Sequence, residues 1–316
     1  MHIDTHIHST YSDGTLTPEE IVKEAKEKRL DLIALTDHNT LNGDTEFAQY
    51  ANKYNQNAIA GIEISTIYKK EEVHLLAYFP INSNFFYSQY DKLNELNNNY
   101  KYGKKSQLEE MIENIGKDYD VSVKEFYEFI KTIKSDENFN RVHVANYLMH
   151  KNITKSVQES FDNFLDEKSK YYVVKPQTKL LDAIKIVVES GGFPTIAHLE
   201  QYNLNDNEIK EMLTDVSKIT NEFGVELFHY DHAKSDRQRF LNICKDIESK
   251  TNLKIVYTAG SDCHGKNKPN EIGKPYEEEL DIEDEALYEN VSNNFIKFLK
   301  EKELLKEPRN FTELEK

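Results

Sequence analysis

Only two cysteines, Cys244 and Cys263, occur in the 316 residues, and they lie far apart in sequence. A disulfide framework is thereby excluded, and a reducing compartment fits. No run approaches the roughly 18 apolar residues that a membrane span needs, and the first residues read as a strand carrying Asp and His, not as the apolar core of a signal peptide. The expected location is the cytoplasm, with no membrane partner. Basic side chains are in the minority, 40 Lys and Arg against 56 Asp and Glu, for a formal charge of −16. No broad basic face is therefore available to nucleic acid or anionic lipid. An anionic small substrate remains open, because bound cations can reverse the local field. Tryptophan is absent, which carries no functional information. Hydrophobic residues make up 38% of the chain, enough for a real core, so disorder is excluded too.

What is present is an alternation of apolar bursts and amphipathic stretches. Thr17-Pro18-Glu19-Glu20 predicts a helix start: Thr17 as N-cap, Pro18 at the first helical position and Glu20 closing a capping box, with Ile21, Val22 and Ala25 as the apolar stripe. Strands are expected at residues 2–5, 32–36, 58–64, 73–79, 194–198, 225–229 and 253–259. Most are separated by helical patterns such as 179–189, 207–223 and 234–249. Such alternation implies an α/β fold of parallel strands, in a barrel or a doubly wound sheet. From 85 to 170 the pattern is helical only, at 87–96, 104–115, 144–149 and 156–165. The expected organisation is a discontinuous barrel over 1–84 and 171–275, a helical insertion over 85–170, and a helical tail over 276–316 packed on the barrel.

The histidines carry the chemistry. His6 and His8 are two apart, so on a strand they project from one face. Asp13 follows; His38 ends the second strand, Glu63 the third, His74 opens the fourth and His198 ends the fifth. Asp262 and His264 follow the last strand. Any one of these is ordinarily a hydrogen-bonded core or surface residue, and Asp13-Gly14 is an ordinary turn pair. Together they recur at one end of successive strands, where barrel active sites form. A mixed N/O donor set suits Mn, Fe or Zn better than Mg or Ca.

Asp4-x-His6-x-His8-Ser9, Thr36-Asp37-His38, Gly61-Ile62-Glu63, Ala197-His198 and Gly260-Ser261-Asp262-Cys263-His264-Gly265 resemble the successive motifs of the polymerase-and-histidinol-phosphatase (PHP) family, over residues 1–80 and 170–265. The resemblance implies a distorted (β/α)7 barrel and a trinuclear site holding two or three divalent ions, Mn foremost, with Fe or Zn as alternatives. Matched by position, the ligands are His6, His8, Asp13, His38, Glu63, His74, His198, Asp262 and His264. Leu199 stands where the family often has Pro, and Cys263 where it commonly has Phe; neither replaces a ligand.

The middle segment narrows the resemblance. Asn140-Arg141-Val142-His143-Val144-Ala145, residues 156–161 and residues 170–173 look like the insertion of PHP phosphoesterases that act on nucleotide 3′,5′-bisphosphates and RNA 5′ ends, where the Arg and His of an R-x-H segment meet substrate phosphate. The run 224–232 is similar to the family's sixth strand, whose last His, here His232, also approaches the phosphate. Arg141, His143 and His232 are thus the expected substrate contacts, with Arg141 and His232 also serving catalysis, while His229 reads as a core strand residue. Three divalent ions beside three carboxylates would leave an excess of about three positive charges for a phosphate dianion. The expected reaction is in-line attack by a hydroxide bridging two cations; the proton for the leaving group comes from a water or from His232, a choice left open. Other readings are a sugar phosphate, a cyclic phosphodiester or histidinol phosphate as substrate, amide hydrolysis, or a metal-binding interaction module without catalysis. The intact ligand set argues against the last.

Overall fold

A computed structural model describes residues 1–81, 91–133, 140–173 and 178–305. The chain divides into two compact units, one of residues 1–97 and 178–316, the other of residues 98–177.

The first unit is built on one sheet. Its strands are β1 (Ile3–Ile7), β2 (Leu32–Leu35), β3 (Ala58–Tyr68), β4 (Glu71–Phe79), β5 (Thr178–Lys179), β6 (Phe193–Ile196), β7 (Glu222–His229) and β8 (Lys254–Gly260). They pair in the order β1-β2-β3-β4-β6-β7-β8, with the two-residue β5 beside the end of β3. The sheet curls until the segment after β8 meets β1: Ile7 bridges Cys263, the Asp262 N–H donates to His6 O at 2.8 Å and the His8 N–H to Cys263 O at 2.9 Å. This is the distorted barrel that the sequence leads one to expect.

One strand departs from the parallel pattern. β4 runs antiparallel to both β3 and β6. Only Lys69 and Lys70 separate β3 from β4, with Lys69 at φ 58°. A two-residue connection forces a hairpin, since a parallel neighbour needs a crossover of a dozen residues or more. The same hairpin carries β3 four residues past the expected end at 64, so Glu63 lies mid-strand and not at a terminus.

Helices cover the sheet: α1 (Pro18–Glu27), α2 (Asp44–Lys53), α7 (Leu180–Glu189), α8 (Asp206–Val216), α9 (Lys234–Lys250) and α10 (Ile282–Glu301). The α1 capping box forms as expected, Thr17 Oγ1 accepting from the Glu20 N–H and Glu20 Oε2 accepting from the Thr17 N–H. Ile21, Val22 and Ala25 bury with Ile7, Ile33, Leu35 and Phe47 in one core, while α7 to α10 pack on the rest of the sheet in a larger one. Burial of each large aliphatic side chain stabilises by about 1.5–3 kcal/mol. In the tail, Tyr288 of α10 donates to Ile3 O at 2.7 Å, tying the C-terminal helix to the first strand.

The second unit is helical. α3 (Asp91–Gly116) enters it from the first unit, followed by α4 (Val123–Ile133), α5 (Arg141–His150) and α6 (Val157–Ser160), which runs into a π turn at Phe161–Leu165. Met111, Ile112, Phe126, Val144, Leu148 and Leu165 are among its buried core. The start of the helical stretch expected at 87–96 lies outside the described residues. No helix among the described residues is long and apolar enough to cross a membrane.

Candidate metal centre

Glu63 is the hub. Its side chain is 1% exposed, on a strand otherwise rich in Ile and Ala. Five imidazoles converge on it: His38 Nδ1 at 3.0 Å, His8 Nε2 at 3.1 Å and His6 Nε2 at 3.3 Å from Oε2, and His74 Nδ1 at 2.8 Å and His198 Nε2 at 3.0 Å from Oε1. β1, β2 and β6 are parallel and deliver their histidines at C-terminal ends. β4 points the other way, so His74 arrives near its start, beside the later part of β3. Topology thus accounts for why one histidine of the set opens its strand.

Two further expected carboxylates join the cluster. Asp262 Oδ1 lies 3.2 Å from His8 Nε2 and 3.5 Å from both His6 Nε2 and His264 Nδ1. Asp13 approaches His264 Nε2 at 3.2 Å, His8 Nδ1 at 3.7 Å and His38 Nε2 at 3.8 Å. Among the described residues, four overlapping donor groups are close enough to hold an ion: His8-Asp13-His38-His264, His6-His8-Glu63-Asp262, His6-Glu226-His229 and His38-Glu63-His74. Eight of the nine expected ligands fall in these groups. The ninth, His198, belongs to none, although it touches Glu63.

Electrostatics shows what the cluster lacks. Burial disfavours charge on His8, but the carboxylates of Asp262 and Glu63 beside its ring override it and lift its pKa to about 9. His74 rises to about 10 in the same way, through Glu63 and Glu72 against burial. His38 and His198 lose the contest and fall to about 3 and about 4. Burial would raise Glu63 and Asp262, yet the surrounding imidazoles hold both well below the carboxylate range. Glu63 Oε2, His6 Nε2 and both ring nitrogens of His8 are nevertheless buried without a hydrogen-bond partner. Unpartnered buried donors and acceptors are costly. Lone pairs of mixed N and O type converging on shared points are what a divalent transition ion satisfies, so the residues fit such ions.

A sequence profile of the PHP domain matches residues 4–229. The chain belongs to the PHP domain family. It is similar to a 5′-3′ exoribonuclease of Haemophilus influenzae, 26% identical over 284 residues, 90% of this chain and 96% of the relative. It is also similar to a 3′,5′-nucleoside bisphosphate phosphatase of Chromobacterium violaceum, 25% identical over 244 residues, 75% of this chain and 80% of the relative. A solved structure from Bifidobacterium adolescentis, assigned as a metal-dependent phosphoesterase, superposes with a TM-score of 0.61 at 26% identity, covering 92% of this chain and 96% of that one. The PHP chain described here is accordingly an enzyme, a metal-dependent phosphoesterase.

The backbone of this PHP centre is strained where it turns donors inward. His198 has φ 24° and Asp262 φ 55°, a region that costs non-glycine residues of the order of 1 kcal/mol or more. Asp4 anchors the second of these turns by accepting from the Ser261 N–H at 2.9 Å, Ser261 Oγ at 2.6 Å and the Gly273 N–H at 2.7 Å. Asp37 anchors the loop after β1 by accepting from the Ser9 N–H at 2.8 Å, Ser9 Oγ at 2.7 Å and Ser12 Oγ at 2.6 Å.

The sequence marks His229 as core only, and marks neither Glu226 nor Lys268, yet all three lie at the cluster. His229 is fully buried, with Nε2 3.5 Å from Asp262 Oδ2, so it faces the donors as well as lying in the core strand where it was expected. Glu226 is fully buried against His6 and His198; a carboxylate inside an apolar strand run was the available signal. Lys268 Nζ lies 2.6 Å from Asp262 Oδ2, and nothing in its sequence surroundings marks it.

His229 and His232 are adjacent, ring centroids 5.4 Å apart, but carry opposite hydrogen-bonding roles. The Asp231 N–H donates to His229 Nδ1 at 3.1 Å, which puts the proton of the neutral ring on Nε2. His232 Nδ1 donates to Leu227 O at 3.0 Å, which leaves a lone pair on Nε2. Burial, then the neighbouring His229, push the His232 pKa well below 6.5. Neutral His232 is therefore built to accept a hydrogen bond rather than give up a proton.

Arg141 and His143 belong to the helical unit. Arg141 opens α5; its Nη1 donates to Leu165 O at 3.1 Å and its guanidinium lies over Phe161 and Tyr172, 5.6 and 5.8 Å from the ring centres. His143 takes part in a capping box with Asn140, its Nδ1 lying 2.7 Å from Asn140 Oδ1 and 3.1 Å from the Asn140 backbone N.

Proposed function

We propose that this PHP enzyme hydrolyses a phosphomonoester on a nucleotide carrying a second phosphate, a nucleoside 3′,5′-bisphosphate or an RNA 5′ end, and that it does so in the cytoplasm with two or three divalent ions, manganese foremost. The observation that carries this reading is the cluster of buried, unpartnered imidazole nitrogens around Glu63. His6, His8, Asp13, His38, Glu63, His74, His198, Asp262 and His264 would hold the ions. Bound there, divalent ions would supply the positive charge that draws a phosphate to an acidic protein and would acidify the attacking water.

The chain's own residues do the rest. His229 holds a proton at Nε2 and is placed to donate it in a hydrogen bond. His232 offers the Nε2 lone pair to a hydroxyl or a protonated phosphate oxygen, and serves as an acid only when doubly protonated. Arg141 presents a planar guanidinium whose orientation is set by Phe161, Tyr172 and Leu165 O; with His143 it is the proposed contact to the second phosphate, where bidentate geometry favours Arg. The name of the Chromobacterium relative supports a nucleotide carrying two phosphates, and that of the Haemophilus relative supports an RNA taken from its 5′ end.

The test is a screen of manganese-loaded protein over nucleoside bisphosphates, short 5′-phosphorylated RNAs, sugar phosphates and cyclic phosphates, reading released phosphate together with chromatographed nucleotide and ring-opened products, repeated after chelation. Release from the first two classes, abolished by chelation and restored by manganese, is expected. Preference for a sugar or cyclic phosphate would overturn the substrate assignment and leave the metal chemistry standing.

A further inference from the structure

We propose that Glu226 is a positioning residue of the centre, fixing the tautomer of His6 and the backbone of His198 so that both present their donors to the ions. The inference rests on the functional reading above, in that it requires ions at His6.

Glu226 lies within β7, and its side chain is fully buried. Oε1 stands 3.1 Å and Oε2 3.3 Å from His6 Nδ1. Oε2 also accepts the His198 N–H at 2.9 Å. A carboxylate only accepts hydrogen bonds, so His6 must carry its proton at Nδ1. In the neutral ring that an ion requires, the opposite nitrogen, Nε2, then holds the lone pair, and it is this atom that faces Glu63 Oε2 at 3.3 Å and Asp262 Oδ1 at 3.5 Å with no hydrogen-bond partner. A neighbouring carboxylate also makes the imidazole a stronger donor to metal.

The second contact acts on the backbone. His198 sits at φ 24°, ψ 61°, and its N–H has the Glu226 carboxylate as acceptor. A charge-assisted hydrogen bond is of the right size to offset that strain. Gly260 leaves the room: a Cβ there would lie 2.6 Å from Glu226 Oε1 and 2.2 Å from His6 Cβ. Glu226 is also close enough to His6 and His229 to share an ion with them; its oxygens are turned to the ring of His6 and the N–H of His198, and the part assigned to it is holding those donors.

Glu226→Gln discriminates because it keeps the shape and changes the hydrogen-bonding logic. Glutamine has one acceptor oxygen for two N–H groups. If that oxygen serves the His198 N–H, the amide NH2 faces His6 Nδ1 and drives the proton to Nε2. If it serves His6, the NH2 opposes the His198 N–H. Zinc affinity of the full chain is measured by chelator competition, with wild type and His6→Ala as references. Glu226→Gln is expected to bind 10- to 100-fold more weakly than wild type. Equal affinity overturns the positioning role alone; absence of zinc binding by the wild type overturns the metal reading and this inference with it. Nitrogen-15 spectra of His6 in zinc-loaded wild type decide the case even where the variant fails to fold. Protonated Nδ1 with coordinated Nε2 is expected, and the reverse assignment refutes the proposal.

Discussion

His74 Nδ1 stands 2.8 Å from Glu63 Oε1, on a strand antiparallel to the one that carries Glu63. Glu63 pairs with Leu76 and Ser65 with His74, so the two side chains are diagonal neighbours on one face. A single carboxylate oxygen here serves histidines from two strands. Glu63→Gln should therefore reduce bound metal and lower turnover at least a thousandfold, about 4 kcal/mol of transition-state stabilisation. His8→Ala and Asp262→Ala should act alike while leaving the fold largely intact. Elemental analysis, circular dichroism and phosphate release check the three together; near-wild-type rates at saturating metal would show the site to be misassigned.

Arg141→Ala should separate two substrates. The ions can hold the scissile group of any phosphomonoester, so discrimination must come from a second anion contact. Loss of one charge-assisted contact costs about 1.5–3 kcal/mol, roughly tenfold to a hundredfold in kcat/KM. The bisphosphate should suffer that loss and an aryl phosphate almost none. Equal losses would assign Arg141 to the reacting phosphate, and no loss on either would make the insertion structural.

Asp44 gives a pH-dependent prediction away from the chemistry. It is buried at the start of α2, accepting from the Gly61 N–H at 3.3 Å, and burial followed by the charge of Asp37 raises its pKa well above 3.8. The folded state thus binds the proton more tightly than the unfolded state, so this contribution to stability is complete below pH 4 and is lost as pH rises through the folded value. Asp44→Asn removes that titration. The melting temperature of the variant relative to wild type should climb between pH 4 and pH 8. A variant less stable by a constant margin at every pH would mean that Asp44 is ionised and held by the helix N-terminus.

Gly260→Ala tests how tightly the end of β8 approaches β1. The added methyl would stand 2.2 Å from His6 Cβ, closer than any packed contact, with backbone and buried ligand both unable to yield cheaply. Destabilisation of about 1–3 kcal/mol by chemical denaturation is expected, together with weaker metal binding. An unchanged denaturation midpoint would mean that the strands can separate.

Much of the centre was readable because its chemistry needs rare residue types at strand ends: His6, His8, His38 and His198 stand out against apolar runs. The direction of β4 was not readable, because Lys69-Lys70 carries none of the Asn-Gly or Asp-Gly signal of a tight hairpin. Helix α4 went unread because Phe126, Tyr127, Phe129 and Ile130 are indifferent helix formers, and burial of Phe126 and Ile130 in the second unit outweighs propensity. Glu226 and Lys268 act through what they touch, and that is set by β7 and by the loop after β8 folding against β1, a relation between distant segments that no local pattern encodes.

The junction of β1 with β8 also sets a timetable. Thr5 Oγ1 donates to Ala259 O across 254 residues. At roughly 5–20 residues per second, a ribosome leaves β1 without this neighbour for about 10–50 s. Of the four donor groups, only His38-Glu63-His74 is complete once residue 74 has been made; the others wait for His229, Asp262 or His264. In a nascent chain the residues of one corner of the centre are therefore all present early, and those of the rest only when almost the whole sheet has been synthesised.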